Sequence, residues 1–591
     1  MRLAIALQLS LSALCLTLAF FDAGLGAVLP EPAAVNCQWS RWSEWSSCDS
    51  CTKSRRRSRG IEAFGQFDGE SCMDSIGDRQ ACQPSESCLT PTLLPCLESE
   101  FRCTTELQTC IKKRLECNGD YDCEDGSDED CEPTRTPCGA SVLENNEQGR
   151  TAGYGINILG ADPRRNPFNN DYFNGRCDRV RNPYTGKYDR LPWNVGVLHY
   201  ETLVEETASK EIYEDTYSIV KEMLKETTFK VDAGFSFKFT ATEPSLANTT
   251  IGAEAGAEFS KKNVLKEVTE YSVIKNKSFM RVKGRVQLSS YRMRSRELNV
   301  AEEFLIHVRS LPVVYEKGIY FAFLEDYGTH YTKNGKSGGE YELIYILNQD
   351  AIKAKNMTQR GVQTCVKAGI SADFGFPTGG SAKAHVRPEY CDNPTNTQTA
   401  TAEGKALVDK VMTSVKGGTL ETAVTMRAQL NKEGVMNIDA YRNWARSIAD
   451  VPALINSEAE PIYNLIPLDT PDANNRISNL KRAIEEYVAE YNICKCKPCQ
   501  NGGTLALIDG KCICMCTGQF EGLACQNYRA DKAANQAGQR PTVLQEGNWS
   551  CWGPWSPCSG GKHSRTRRCR TDGLSETVKC RGEATMKLFK C

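Results

Sequence analysis

Carboxylates crowd one short stretch of this 591-residue chain, Asp122-Cys123-Glu124-Asp125-Gly126-Ser127-Asp128-Glu129. So many like charges repel unless a hard cation sits among them, and calcium, which takes six or more oxygens, suits that spacing. The other reactive residue types point away from catalysis. Only five histidines occur. His330 has no neighbouring nucleophile and no Ser/His/Asp or His-Glu-x-x-His spacing around it, so it reads as structural. A zinc protease and an enzyme of any other kind are therefore not expected. Of 29 cysteines, those beyond Cys15 are even in number. A formal charge of −2 with no basic stripe of interleaved aromatics argues against a nucleic-acid binder.

Residues 1–26 begin Met1-Arg2, run apolar from Leu3 to Phe21 and reach small residues at Ala23–Ala27, the pattern of a secretory signal peptide. No later stretch holds ~20 uninterrupted apolar residues, so no transmembrane helix is expected. In an oxidising compartment the cysteines are disulfides. They cluster at Cys37–Cys88, Cys96–Cys131, Cys494–Cys525 and Cys551–Cys591, with only Cys138, Cys177, Cys365 and Cys391 between. This predicts a large central domain flanked by small stapled modules. The central four pair most simply as Cys138–Cys177 and Cys365–Cys391. The last two clusters are odd in number, so with every thiol oxidised a bridge joins them.

Two segments of the central domain alternate strictly. In the first, Phe229, Val231, Ala233, Phe235, Phe237 and Phe239 are apolar, and after a turn region at Thr242–Thr249 so are Ile251, Ala253, Ala255, Ala257 and Phe259. One register sets Lys230 against Glu258, another Lys238 against Glu254. In the second, Val366, Ala368, Ile370, Ala372, Phe374 and Phe376 precede Pro377–Gly380, and Ala382, Ala384 and Val386 follow. Folded about Thr378, Phe374 meets Ala382, Ile370 meets Val386 and Cys365 meets Cys391. Each is a hairpin with one apolar and one charged face, as a membrane β-barrel requires. Charged helices are expected over Glu205–Thr227 and, on helical spacing, over Lys261–Ile274. An amphipathic helix is expected over Ala402–Val415, and a strand through Met280, Val282, Val286 and Leu288.

Family resemblances attach to particular residues. Trp39, Trp42 and Trp45 with Lys53, Arg55, Arg57 and Arg59, and Trp549, Trp552 and Trp555 with Arg565, Arg567 and Arg568, look like thrombospondin type 1 repeats, in which arginines slot between indoles. That resemblance implies C-mannosyl groups on Trp39 and Trp42 and the bridges Cys37–Cys72, Cys48–Cys82, Cys51–Cys88, Cys558–Cys591 and Cys569–Cys580. The acidic module resembles the LDL-receptor class A module. It implies Cys96–Cys110, Cys103–Cys123 and Cys117–Cys131, and calcium held by the side chains of Asn118, Asp122, Asp128 and Glu129 with the carbonyls of Leu115 and Asp120. Asn118 stands where the family usually has Asp, which implies a weaker site. Residues 494–526 resemble an EGF-like module, implying Cys496–Cys512, Cys499–Cys514 and Cys516–Cys525 and leaving Cys494 for the bridge between the last two clusters, most simply Cys494–Cys551.

Between the hairpins, Tyr327-Gly328-Thr329-His330-Tyr331, then six residues, then Gly338-Gly339, looks like the membrane attack complex/perforin (MACPF) signature. Paired glycines let a sheet bend, and Gly417-Gly418 is expected to form the second wall of that bend. The resemblance implies an α+β, cholesterol-dependent-cytolysin-like core with a bent antiparallel sheet. It also implies two segments that unfurl into membrane hairpins. Arg150–Gly160, Phe321–Glu325 and Ile462–Pro467 extend it to the terminal complement components, most of all to a polymerising member that in mammals ends after the EGF-like module. The expected organisation is a signal peptide (1–26), thrombospondin repeat (35–90), LDL-receptor class A module (94–132), MACPF domain (134–493), EGF-like module (494–526), linker (527–546) and thrombospondin repeat (547–591).

What this implies is a secreted pore-former that joins preceding terminal complement components, other copies of itself and the lipid bilayer, crossing it as a multi-pass β-barrel. The rivals are a single-copy subunit that starts insertion without polymerising and an extracellular adhesion protein built from the same modules. Candidate N-glycosylation sites stand at Asn248, Asn276, Asn356 and Asn548. A glycan on Asn248 would have to cross hydrocarbon, so either that site is unoccupied or the first hairpin's tip lies elsewhere.

Overall fold

The computed structural model describes most of residues 30–208, 277–354 and 408–528, with shorter stretches near 212–231 and 548–588. Its centre is an antiparallel sheet of long strands: β1 (Val195–Ala208), β2 (Lys277–Met293), β3 (His330–Asn348), β4 (Val408–Lys416) and β5 (Ala453–Pro461). Strands β1, β2, β3 and β5 lie in that order, and β4 also pairs with β3. Strand β2 forms because its even positions suit one buried face. Met280, Val282, Val286 and Leu288 join Tyr341, Leu343, Tyr345 and Leu347 of β3 in one core.

Strand β3 changes partners midway. On one side it pairs with β2 almost throughout. On the other it pairs with β5 from His330 to Gly338, then with β4 from Glu340 to Leu347. The exchange falls on the four glycines. A Cβ on Gly338 would lie 1.9 Å from the Val286 carbonyl oxygen, and one on Gly339 2.5 Å from Ile448. Gly417 and Gly418 have φ of 76° and 82°, where side chains are strained. A Cβ on Gly417 would meet the Gly338 carbonyl oxygen at 2.6 Å. Trp444 closes the corner, its indole N–H donating to the Gly417 carbonyl at 2.8 Å.

Different helices cover the two halves. Helices α1 (Glu302–Ser310), α2 (Lys317–Tyr327) and α5 (Ala473–Glu490) bury Phe304, Tyr320, Leu324, Leu480 and Tyr487 against the β5 half. Helices α3 (Leu420–Glu433) and α4 (Ile438–Ser447) bury Met426, Leu430, Tyr441 and Trp444 against the β4 half. Each such side chain contributes about 1.5–3 kcal/mol.

Two helix expectations are corrected. Residues 408–416 are strand β4, although Val408, Val411, Met412 and Val415 also satisfy helical spacing. The β3 edge from Glu340 to Leu347 would otherwise lose its partner, and the ladder decides. Glu205–Ala208 continues strand β1, with Glu205 opposite Arg285; charged residues suit an edge strand. Residues 261–274 lie outside the described residues, as does most of 209–227.

The small modules carry disulfides Cys37–Cys72, Cys48–Cys82, Cys51–Cys88, Cys96–Cys110, Cys103–Cys123, Cys117–Cys131, Cys496–Cys512, Cys499–Cys514 and Cys516–Cys525, and the central domain carries Cys138–Cys177. Cys365, Cys391, Cys494, Cys551, Cys558, Cys580 and Cys591 lie outside the described residues. In the first module Arg59 sits 4.1 Å from Trp39 and 4.3 Å from Trp42, and Arg57 4.5 Å from Trp45. This module docks on the rest of the chain. Gly65–Gln66 adds a parallel strand to Lys511–Cys512, and the Ile61 N–H donates to Glu490 at the end of α5. Glu490 also binds Lys317 at 2.7 Å and Lys495 at 2.9 Å.

Gly338→Ala should cost ~2–3 kcal/mol, because its Cβ meets backbone that cannot yield. Thermal unfolding of the purified protein checks this. Gly196→Ala, whose Cβ would find its nearest atom at 3.5 Å, should leave the melting temperature unchanged.

Candidate functional site

Four strands present their ends along one border of the sheet. Ala208, the last residue of β1, pairs with Val282 of β2; Lys277, the first of β2, pairs with Asn348, the last of β3; and Leu347 pairs with Val408, the first of β4. Both alternating segments are thus inserts between strands that are already neighbours. They leave and re-enter at the same end. Of the expected membrane-facing residues, Val231 belongs to the short strand Lys230–Val231, which runs parallel to β5 with Val231 opposite Ala459. The others, Phe229, Ala233–Phe259 and Val366–Val386, lie outside the described residues.

Near that border the face opposite the aromatic core carries paired charges. Arg281 Nε donates to Glu342 at 2.7 Å, and the two side chains are 5% and 4% exposed. Glu340 lies 3.1 Å from Lys283 and 3.4 Å from Arg285. Burial pushes the Glu340 carboxyl up, but Lys283, Lys416 and Arg285 outweigh it and hold the group below its ordinary value. Removing one partner of such a buried pair costs about 3–5 kcal/mol.

The signature residues form a junction rather than a reaction centre. Tyr327 ends α2, with its hydroxyl 2.8 Å from His307 Nδ1. Gly328, at φ 83°, lets the chain turn into β3, and a Cβ there would lie 2.4 Å from the Ile156 carbonyl oxygen. The Thr329 N–H donates to that same carbonyl, and the Thr329 carbonyl accepts from the Ile462 N–H. His330 Nδ1 lies 2.9 Å from the Thr329 hydroxyl while Nε2 is buried without a partner. Burial lowers its pKa to about 4, so the ring is neutral at physiological pH. The Tyr331 hydroxyl donates to Glu460 at 2.6 Å. No nucleophile and carboxylate converge on His330 among the described residues.

The acidic loop brings its expected ligands together. Asp128 is fully buried, and its carboxylate accepts from the Asp122 N–H at 2.8 Å and the Cys123 N–H at 3.2 Å. Glu129 accepts from the Asn118 N–H at 2.7 Å. Asn118 Nδ2 donates to Asp122 Oδ2 at 2.7 Å, leaving the buried Asp122 Oδ1 without a partner. Burial first, then the neighbouring charges of Asp120 and Asp128, push Asp122 up to about 7. Leu115 is buried and holds its end of the loop in the module's small core. An orphaned carboxylate oxygen in an all-oxygen donor set fits a hard cation.

Sequence reasoning missed the partners of this loop. Arg190 forms an ion pair with Asp120, although the two are 70 residues apart. No periodicity links them. The buried charges of β2 and β3 were findable, since Arg281, Lys283 and Arg285 alternate, as do Glu340 and Glu342. Of the glycosylation candidates, Asn548 lies in the short strand Asn548–Trp549, while Asn248, Asn276 and Asn356 lie outside the described residues.

Comparison with known proteins agrees with this geometry. Residues 94–138 match the low-density lipoprotein receptor domain class A, and residues 40–88 and 550–590 match the thrombospondin type 1 domain. The chain is 60% identical over 554 residues to complement component C9 of Oncorhynchus mykiss, covering 93% of this chain and 96% of that protein. It is 30% identical over 562 residues to the complement component C8 alpha chain of Oryctolagus cuniculus, covering 91% of each. Against complement component C7 of Mus musculus it is 30% identical over 579 residues, 96% of this chain and 63% of that one. Residues 148–497, which hold the bent sheet, the glycine corner and both inserts, match the MAC/Perforin domain, and the chain belongs to that family.

Proposed function

We propose that the chain is a pore-forming terminal complement component that polymerises on target membranes and inserts two β-hairpins per copy. The observation that carries this reading is the strand register beside the inserts. Between β1 and β2, Val204 faces Val286 and Ala208 faces Val282. Continued without a bulge, that register sets Val231 against Phe259, Ala233 against Ala257, Phe235 against Ala255, Phe237 against Ala253 and Phe239 against Ile251. Between β3 and β4, Glu340 faces Lys416 and Ile346 faces Lys410. The Glu340–Ile346 register, extended without the one-residue shift at Leu347, would set Cys365 against Cys391, Ile370 against Val386 and Phe374 against Ala382.

The middle pair agrees as well. Strands β2 and β3 set Lys277 against Asn348 and Met280 against Tyr345. The same register sets Phe259 against Val366 and Ile251 against Phe374. Odd positions of the first insert and even positions of the second therefore share one face. The bands Phe229–Phe239, Ile251–Phe259 and Val366–Phe376 would then fall at one height, each with the ~9–11 residues of a tilted membrane strand, and the shorter band Ala382–Val386 would pair within that height. Four strands leave free edges at β1 and β4, which lipid does not tolerate, so further copies must close the barrel. A single-copy subunit is the weaker reading, given the higher identity to the C9 relative than to the C8 alpha chain.

The acidic loop is assigned a structural calcium ion. Leu115 and Asp120 would offer carbonyls, and Asn118, Asp122, Asp128 and Glu129 side-chain oxygens. The ion would supply the positive charge that the buried Asp122 lacks.

Phe374→Asp and Phe237→Asp should abolish erythrocyte lysis while leaving secretion intact, and Ser371→Asp, on the water-filled face, should lyse normally. Equal lysis by all three would overturn the face assignment. The continued register centres the first turn on Ser245, so Asn248 leads into the bilayer; mass spectrometry of lytic protein should find it unglycosylated. Calcium binding needs Asp122 ionised, and in the cation-free loop that ionisation becomes a penalty as pH rises from about 4 to about 7. Chelation should therefore lower the melting temperature more at pH 8 than at pH 6, a difference that Asp122→Asn erases.

A further inference from the structure

The module spanning Cys96 to Cys131 touches the central domain through the loop that its carboxylates order. Arg190 places its guanidinium on both oxygens of Asp120, at 2.5 and 2.6 Å, with the side chains 5% and 10% exposed. Two further donations from Arg190 reach the Arg176 carbonyl, at 2.9 and 2.6 Å. The cation also lies 4.0 Å from the Phe173 ring. Arg190 is thus held on three sides, and Asp120 supplies its counter-charge.

A second contact lies four residues along the loop. Helix α1 has no side-chain cap of its own at Ala301. Instead the Glu302 N–H donates to Glu124 of the module at 2.9 Å, and Thr109 of the module donates to the Glu302 carboxylate at 2.8 Å. A carboxylate there satisfies an otherwise orphaned N–H and opposes the helix dipole. A third contact is close packing: a Cβ on Gly175 would lie 2.9 Å from Leu115, and Arg114 donates to the Asn174 side chain at 3.0 Å. Leu115 and Asp120, whose carbonyls are assigned to the cation, therefore both contact the central domain with their side chains.

We propose that this loop is a cation-dependent latch. A bound divalent cation fixes the backbone that aims Asp120 at Arg190 and Glu124 at the first turn of α1, and its loss undocks the module from the central domain. The latch rests on the calcium assignment above. It also works in reverse, because the docked module presents the better cation site.

Hydrogen exchange of the intact protein, in calcium and in chelator, tests it. On chelation, exchange should quicken several-fold in residues 115–131 and also across the interface, in residues 172–190 and at the Glu302 amide. Quickening confined to 115–131 would keep the calcium assignment and overturn the latch. No change anywhere would overturn both. Asp120→Asn keeps the ligating carbonyl and removes the charge pair. With calcium present, this variant should exchange faster in 172–190 while 122–131 stays protected; wild-type exchange in 172–190 would overturn the latch.

Discussion

The ladder between β2 and β3 is the constraint on which the rest of the molecule depends. From Lys277 to Val286 it holds one register against Asn348 to Gly339 without a slip. That regularity fixes which side chains share a face across the whole sheet. It places Met280, Val282, Tyr341 and Leu343 on the side of the helices and Arg281 and Glu342 on the other. Because side chains alternate strictly along a strand, the same parity passes to any residue that later joins the ladder. A soluble sheet and a membrane barrel can then be two lengths of one object.

The glycine corner makes such a sheet possible in a folded monomer. Strand β3 serves two neighbours on one flank, and the exchange needs backbones closer than any side chain permits at Gly338 and Gly417. Each half of the sheet has its own helices and its own core. The half beside β5 holds the signature junction, where Gly328, Thr329 and the Ile156 carbonyl meet. The half beside β4 holds the ends from which the inserts depart. Trp444 and Ile448 connect the corner to this second core, so the bend and the packing stand or fall together.

Much of this was legible in the sequence wherever a local rule decides the outcome. Alternation identified β2, the clustered cysteines marked the small modules, and the spacing around Tyr327 and Gly338 pointed to the junction and the bend. Residues 408–415 were misread as a helix because Val408, Val411, Met412 and Val415 satisfy both periods at once, and only the partner strand chooses between them. The register of the first insert was open between Lys230–Glu258 and Lys238–Glu254. The sheet's own register, continued, falls between those two. Contacts such as Arg190 with Asp120 left no local trace, because they depend on how modules dock rather than on how elements form.

The docking of the first module also bears on how the chain is assembled in time. Gln66 accepts from the Lys497 amide and donates to its carbonyl, across 431 residues of sequence. Gly65–Gln66 lies in a ladder with Lys511–Cys512, and Ile61 reaches Glu490. None of these contacts can close until the chain has been made past Glu490, and pairing across so long a loop is intrinsically slow. The thrombospondin-like module therefore emerges early yet must wait for its partners before it docks. Its own tryptophan–arginine stack and three disulfides must keep it folded in the meantime.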